Sequence, residues 1–97
     1  MLEKTIKDAV KKRLKALGCY QFWPVQTGFG SATLDCLGCY RPVNSTDAFF
    51  FAVECKRPGG KLTFRQHLTI ELIKHAGGRV YVIDSIEAAA RLLEEVN

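Results

Sequence analysis

Ninety-seven residues, 47% hydrophobic and 25% charged, make a chain of ordinary globular composition with room for one modest core, and they exclude intrinsic disorder. No apolar run approaches the ~20 residues needed to cross a bilayer, and Met1-Leu2-Glu3-Lys4 leads into an amphipathic helix rather than a secretion signal, so a single domain spanning residues 1–97 in the cytoplasm is expected. The net charge of +4 is unevenly placed: Lys4, Lys7, Lys11, Lys12, Arg13 and Lys15 crowd the first stretch, Lys56, Arg57, Lys61 and Arg65 the middle, and acids gather after Ile83. Such clusters suit a polyanion such as DNA or RNA, with a solvated lysine-rich helix face as the plain alternative.

Leu2, Ile6, Val10, Leu14 and Leu17 recur at three- and four-residue steps, which predicts a helix over 3–17 closed by Gly18. At about 100° per residue, with Ile6 at zero, Val10, Leu14 and Leu17 fall at about 40°, 80° and 20° and Glu3 at about 60°. Glu3 therefore lies within the apolar arc. Either it is a first-turn acid favoured by the helix dipole, or it is a functional group. Arg13 sits at the arc's edge, where its stem can snorkel.

Cys19–Thr27 is aromatic and β-branched enough for a first strand, with a bend at Trp23-Pro24. The loop Gly28-Phe29-Gly30-Ser31 lacks a following helix, so it is no phosphate cradle and no nucleotide cofactor is indicated. Thr33–Tyr40 reads as a second strand carrying Asp35, and Arg41–Asp47 as a hairpin turn. Cys36 and Cys39 would point to opposite faces of that strand. With Cys19 and Cys55 isolated, free thiols explain the four cysteines better than structural zinc or a redox pair.

Ala48–Lys56 is the third strand. Its run Phe49-Phe50-Phe51-Ala52-Val53 predicts burial on both faces in the middle of a sheet. Glu54 and Lys56, two apart, then share one face. Charges at the end of a buried strand are costly unless paired or used. Arg57-Pro58-Gly59-Gly60-Lys61 ends the strand in a mobile loop. Thr63-x-x-Gln66 is a capping box opening a helix to about Ala76, stopped by Gly77-Gly78, with Ile70 and Ile73 on its buried stripe and Gln66 between them. Gln66 is thus the capping partner of Thr63, a site residue, or both. Arg79–Ile83 gives a fourth strand, and Asp84 or Ser85 caps a last helix through Val96. The result is an α/β chain in αβββαβα order, a central mixed four-stranded sheet flanked by helices.

Asp35 and Glu54 on neighbouring strands, with Lys56 beyond, form a constellation suited to phosphodiester hydrolysis. Hard carboxylate oxygens suit Mg²⁺ or Mn²⁺, which neutralises phosphate charge and activates water. Lys56 can orient or deprotonate the attacking water and stabilise the transition state. Gln66 can hold the water or contact the phosphate, and Glu3 can add a carboxylate. An isolated E-x-K triplet is weak, since such triplets occur by chance in many strands, and a surface ion pair at a strand end is the plain alternative. The combination with Asp35, the Gly-Lys loop and Gln66 raises it.

The set Glu3, Gly28-x-Gly30, Asp35, Glu54-Cys55-Lys56, Gly60-Lys61-Leu62-Thr63-x-x-Gln66 and Ala76-Gly77 resembles the VRR-NUC (virus-type replication-repair nuclease) domain of the PD-(D/E)XK nuclease superfamily, over nearly the whole chain. The resemblance implies a restriction-endonuclease-like core and Mg²⁺ or Mn²⁺ held by Asp35, Glu54 and the Cys55 backbone carbonyl. It also implies catalysis by Lys56 and a site completed by Gln66 and Glu3. Leu34 stands where the family usually has proline, which leaves the carboxylate chemistry intact, and the Asp35–Glu54 spacing is long. Stand-alone members resemble phage proteins, acting in the host cytoplasm, that dimerise and cut branched DNA including four-way (Holliday) junctions. A homodimeric resolvase-like endonuclease is therefore the first expectation. Lys4, Lys7, Lys11, Arg57, Lys61 and Arg65 would contact DNA, and Tyr20, Phe22 and Trp23 are interface candidates unless they pack in the core. The alternatives are a non-catalytic basic nucleic-acid-binding module, or an exonuclease or restriction-like nuclease of the same fold.

Overall fold

A computed structural model describes residues 1–25 and 33–97. The elements run α1 (Glu3–Leu17), β1 (Tyr20–Phe22), β2 (Cys36–Tyr40), β3 (Phe49–Cys55), α2 (Phe64–His75), β4 (Arg79–Ile83) and α3 (Ile86–Ala90), followed by a 3₁₀ turn at Glu94–Val96. This is the expected αβββαβα order. The strands lie in sequence order, β1-β2-β3-β4, with β1/β2 and β2/β3 antiparallel and β3/β4 parallel. The sheet is mixed because α2 crosses over between β3 and β4, the connection a parallel pair requires.

Alternation along the strands divides the chain's apolar residues between two faces. On one face Cys36, Tyr40, Phe51, Val53, Cys55 and Ile83 meet Ile6, Val10 and Leu14 of α1 and Ala89, Leu92 and Leu93 near the C-terminus. On the other, Ala52, Leu34 and Ile70 form a smaller core, flanked by Leu37, Leu62, Ile73 and Val80. Strand β3 is central and its Phe51–Cys55 stretch is buried on both sides, as its unbroken apolar run predicts. Its start is less covered: Phe50 is exposed on the α2 side.

Gly38 shows how closely this centre is packed. A Cβ there would overlap the Tyr20 carbonyl oxygen and come within 2.6 Å of Phe51 Cζ. Gly38→Ala is expected to cost about 1–3 kcal/mol, toward the upper end because one obstacle is backbone. Urea unfolding measures it, and a variant as stable as wild type would show that β1 can shift freely.

The helix ends follow their local chemistry. Gly18 closes α1 in the left-handed region at φ 77°. Both halves of the capping box at the start of α2 are made, and Ser85 Oγ caps α3 by accepting the Ala88 N–H. Three predicted elements are shorter than expected. The first strand is only Tyr20–Phe22, and its predicted end at Thr27, like the Gly28-x-Gly30 loop, lies outside the described residues. The second strand begins at Cys36, leaving Asp35 just before it. The last helix stops at Ala90 rather than Val96. Arg13 Nε donates to the Leu92 carbonyl, which a continuing helix would need for Val96. Leu93 then takes φ 66° and reverses the chain, and the Tyr40 and Tyr81 hydroxyls bond Asn97 and Glu95.

Candidate active site

Asp35 and Glu54 meet at the end of the β2/β3 ladder. The ladder's last pair is Cys36 with Val53, and just beyond it Asp35, the residue before β2, lies beside Glu54. Both are buried. Their backbones and side chains lock reciprocally: the Asp35 N–H donates to Glu54 Oε1 at 3.2 Å, and the Cys55 N–H donates to Asp35 Oδ2 at 2.9 Å. Carboxylates held in this way cannot turn without giving up a buried N–H bond.

Two further groups reach Glu54 Oε2. Gln66 Nε2 donates to it at 2.8 Å, and Lys56 Nζ stands 3.9 Å away. The same Gln66 accepts the Thr63 N–H through Oε1 at 2.9 Å. The two readings of Gln66 are therefore one arrangement. Capping fixes the amide's orientation, and the fixed amide then presents its NH₂ to the carboxylate.

Glu3 is drawn to the edge of the site through Lys7. The Lys7 ammonium lies 3.4 Å from Glu3 Oε2 and 3.6 Å from Asp35 Oδ1. Burial works against that charge, but Asp35 and Glu3 outweigh it and raise its pKa. Sequence reasoning placed Lys7 among the DNA contacts; the structure shows its ammonium bridging two carboxylates of the site. The available signal was the Glu3–Lys7 spacing of four, which stacks an acid and a base on one helical edge.

Electrostatics set Glu54 apart. Burial first, and the neighbouring Asp35 second, push its carboxyl up to about 7, against the pull of the Asp35 N–H and of Lys56. Among the described residues no three His, Cys, Asp or Glu side chains converge as a ready-made metal cage. Asp35 and Glu54 provide two carboxylates, which with water ligands is a set Mg²⁺ accepts.

The remaining basic residues are more dispersed. Lys4 pairs with Asp8 at 3.0 Å, and Lys11 lies 4.8 Å over the Trp23 ring. Arg57, Lys61 and Arg65 are exposed around the start of α2. Trp23 packs against the larger core, whereas Tyr20 and Phe22 are exposed. Cys36 is buried and Cys39 exposed, on opposite faces as the strand pattern requires, and all four cysteines are free thiols. Burial raises Cys36 and Cys55 to about 12, so neither is a ready nucleophile.

The architecture is shared with a solved structure described as a VRR_NUC domain, at TM-score 0.74 and 22% identity, covering 98% of this chain and 97% of that one. No family model matches the sequence, and no curated protein does. The chain thus has the VRR_NUC fold over nearly its whole length, in agreement with the motif resemblance.

Proposed function

We propose that this protein is a divalent-metal-dependent endonuclease that hydrolyses phosphodiester bonds in branched DNA, acting as a resolvase-like homodimer. The observation that carries the reading is the buried Asp35–Glu54 pair, immobilised by backbone N–H groups and flanked by Lys56 and Gln66. A structural ion pair would not require two adjacent buried carboxylates, one of which burial first and its neighbour's charge second push up to about 7. The fold shared with a VRR_NUC domain supports the same class of chemistry.

Asp35 and Glu54, with the Cys55 carbonyl, would hold Mg²⁺ or Mn²⁺, with Glu3 within reach of the same cluster. When bound, the ion supplies Lewis-acid neutralisation of phosphate charge. The chain's own groups do the rest. Lys56 positions the attacking water and donates hydrogen bonds to the charge that develops on the phosphate. Gln66 keeps Glu54 in one rotamer. Arg57, Lys61 and Arg65, exposed around the start of α2, would anchor the flanking phosphates.

Dimerisation rests on α2. Phe64, Leu68 and Leu72 recur every four residues and stay more than half exposed. Such a ridge on the outer side of a helix is typical of a covered surface. Two-fold pairing would give two sites for paired incisions.

The test offers labelled four-way junction, flap and linear duplex with Mg²⁺, Mn²⁺ or chelator, alongside sedimentation of the free protein. The expected result is metal-dependent cutting of the junction in preference to linear duplex, by a species of twice the chain mass. Equal cutting of all three substrates removes branch selectivity and favours a restriction-like or exonucleolytic enzyme. Salt-sensitive binding that survives chelation, with no scission under any metal, makes the chain a binding module.

A further inference from the structure

Lys7 has a place in the site that a DNA-contacting lysine does not need. Of the two Asp35 oxygens, Oδ2 is committed to the Cys55 N–H. The other, Oδ1, faces the Lys7 ammonium at 3.6 Å, and the same ammonium reaches Glu3 Oε2 at 3.4 Å. Oδ1 is thus the Asp35 oxygen without a backbone N–H bond, and a cation that binds there meets the Lys7 ammonium. That cation must either displace the ammonium or sit beside it.

We propose that Lys7 is a built-in counter-ion, a positioning residue that holds Asp35 and Glu3 in the metal-free protein and weakens divalent-ion binding until DNA arrives. This rests on the metal-nuclease reading above. The physical case is one of competition followed by transfer. In the metal-free state two acids near Glu54 would repel one another; the ammonium between them removes that repulsion and keeps the cluster assembled. A dication then loses the free energy of the contact it breaks, or is repelled by the ammonium it leaves in place. A phosphate entering the site changes the balance, because its oxygens accept the ammonium's hydrogen bonds and the carboxylates no longer need it. Metal and DNA consequently favour each other's binding, and by linkage the coupling is equal in both directions. Lys7 can make this exchange because it is only partly covered, with a side chain 28% exposed, while Asp35 remains at 10%. The pivot needs only rotations of a long side chain on a fixed helix.

The test is calorimetric titration of the full chain with Mn²⁺ in the absence of DNA. Lys7→Met keeps the stem and removes the charge; Lys7→Arg keeps the charge. Lys12→Met removes an exposed positive charge elsewhere on α1. Lys7→Met is expected to bind Mn²⁺ about 5–50-fold more tightly than wild type, in the range of typical coupling between sites. Lys7→Arg should stay near wild type, and Lys12→Met within about two-fold, since exposed charges are screened. Titration with Ca²⁺, first without and then with saturating four-way junction, should show the gap between wild type and Lys7→Met narrowing when DNA is present. Melting curves of the metal-free variants report that each is folded.

Unchanged or weaker Mn²⁺ binding in Lys7→Met overturns the counter-ion role while leaving the nuclease reading in place. An equal gain in Lys12→Met also overturns it, because the effect would then be one of net charge. Absence of Mn²⁺ binding by wild type and every variant overturns the metal site itself, and this role with it.

Discussion

Lys56→Met is expected to lower junction cleavage by about 10²–10⁴-fold, the range for a positioned proton-transfer or charge-stabilising group. Lys56 stands just beyond β3, its Nζ 3.9 Å from Glu54 Oε2 and its side chain 14% exposed. At that distance the contact is a weak ion pair, and Glu54 Oε2 keeps the Gln66 amide as its hydrogen-bond partner when the ammonium is removed. Methionine preserves the stem, so the melting temperature should move by only a few degrees. Junction affinity should fall far less than the rate if the exposed Arg57, Lys61 and Arg65 anchor the backbone as proposed. Gel-based cleavage under single-turnover conditions, with binding measured separately, distinguishes the two. Full cleavage by Lys56→Met would remove the residue from the mechanism; equal losses in binding and rate would make it one more phosphate anchor.

The second large effect concerns stability and pH. Glu54 is pushed up to about 7 by burial and by Asp35, from an ordinary value of 4.5. The folded protein therefore holds this proton more tightly than the unfolded chain does. Below pH 4.5 both states are protonated and Glu54 imposes no penalty. As pH rises through 7 the unfolded state has already ionised and the folded state must follow, so stability is lost. Metal-free wild type should lose on the order of 1–3 kcal/mol between pH 5 and pH 8 that Glu54→Gln does not lose. The glutamine's altered hydrogen bonds shift its whole curve, so the difference in slope is the diagnostic quantity. Urea denaturation in chelator at several pH values provides it. Parallel slopes for the two proteins, or a wild type that gains stability from this group toward pH 8, would show that Glu54 is ionised in the fold at ordinary acidity. This destabilised carboxylate is what a cation-binding site would be expected to leave behind in its metal-free state.

Much of the architecture was legible because it rests on local rules. The spacing of Ile6, Val10 and Leu14 marks one face of a helix, and all three are fully buried. The unbroken Phe49–Val53 run marked a central strand, and Thr63 with Gln66 marked a helix start through a bond pattern that lies within four residues. Asp35, Glu54, Lys56 and Gln66 could be nominated together because their residue types suit one chemistry, and the fold brings them to one end of the sheet.

The C-terminal segment was not legible in the same way. Its apolar spacing permits a helix through Val96, but Arg13, distant in sequence, takes the Leu92 carbonyl, Leu93 turns left-handed, and Tyr40 and Tyr81 hold the side chains of Asn97 and Glu95. The same holds for Lys7. From its own helix it could equally face solvent or the sheet, and only the packing of α1 against the sheet brings it within reach of the Asp35 carboxylate. Sequence by itself determined the elements, their order and the chemical types in the site, since these depend on periodicity and on bonds within a turn. Tertiary structure decided which oxygen each donor satisfies: Asp35 N–H to Glu54, Cys55 N–H to Asp35, the Gln66 amide shared between Thr63 and Glu54, and Lys7 between two acids. Those choices depend on strand register and on burial, and no stretch of sequence contains either until the sheet has formed.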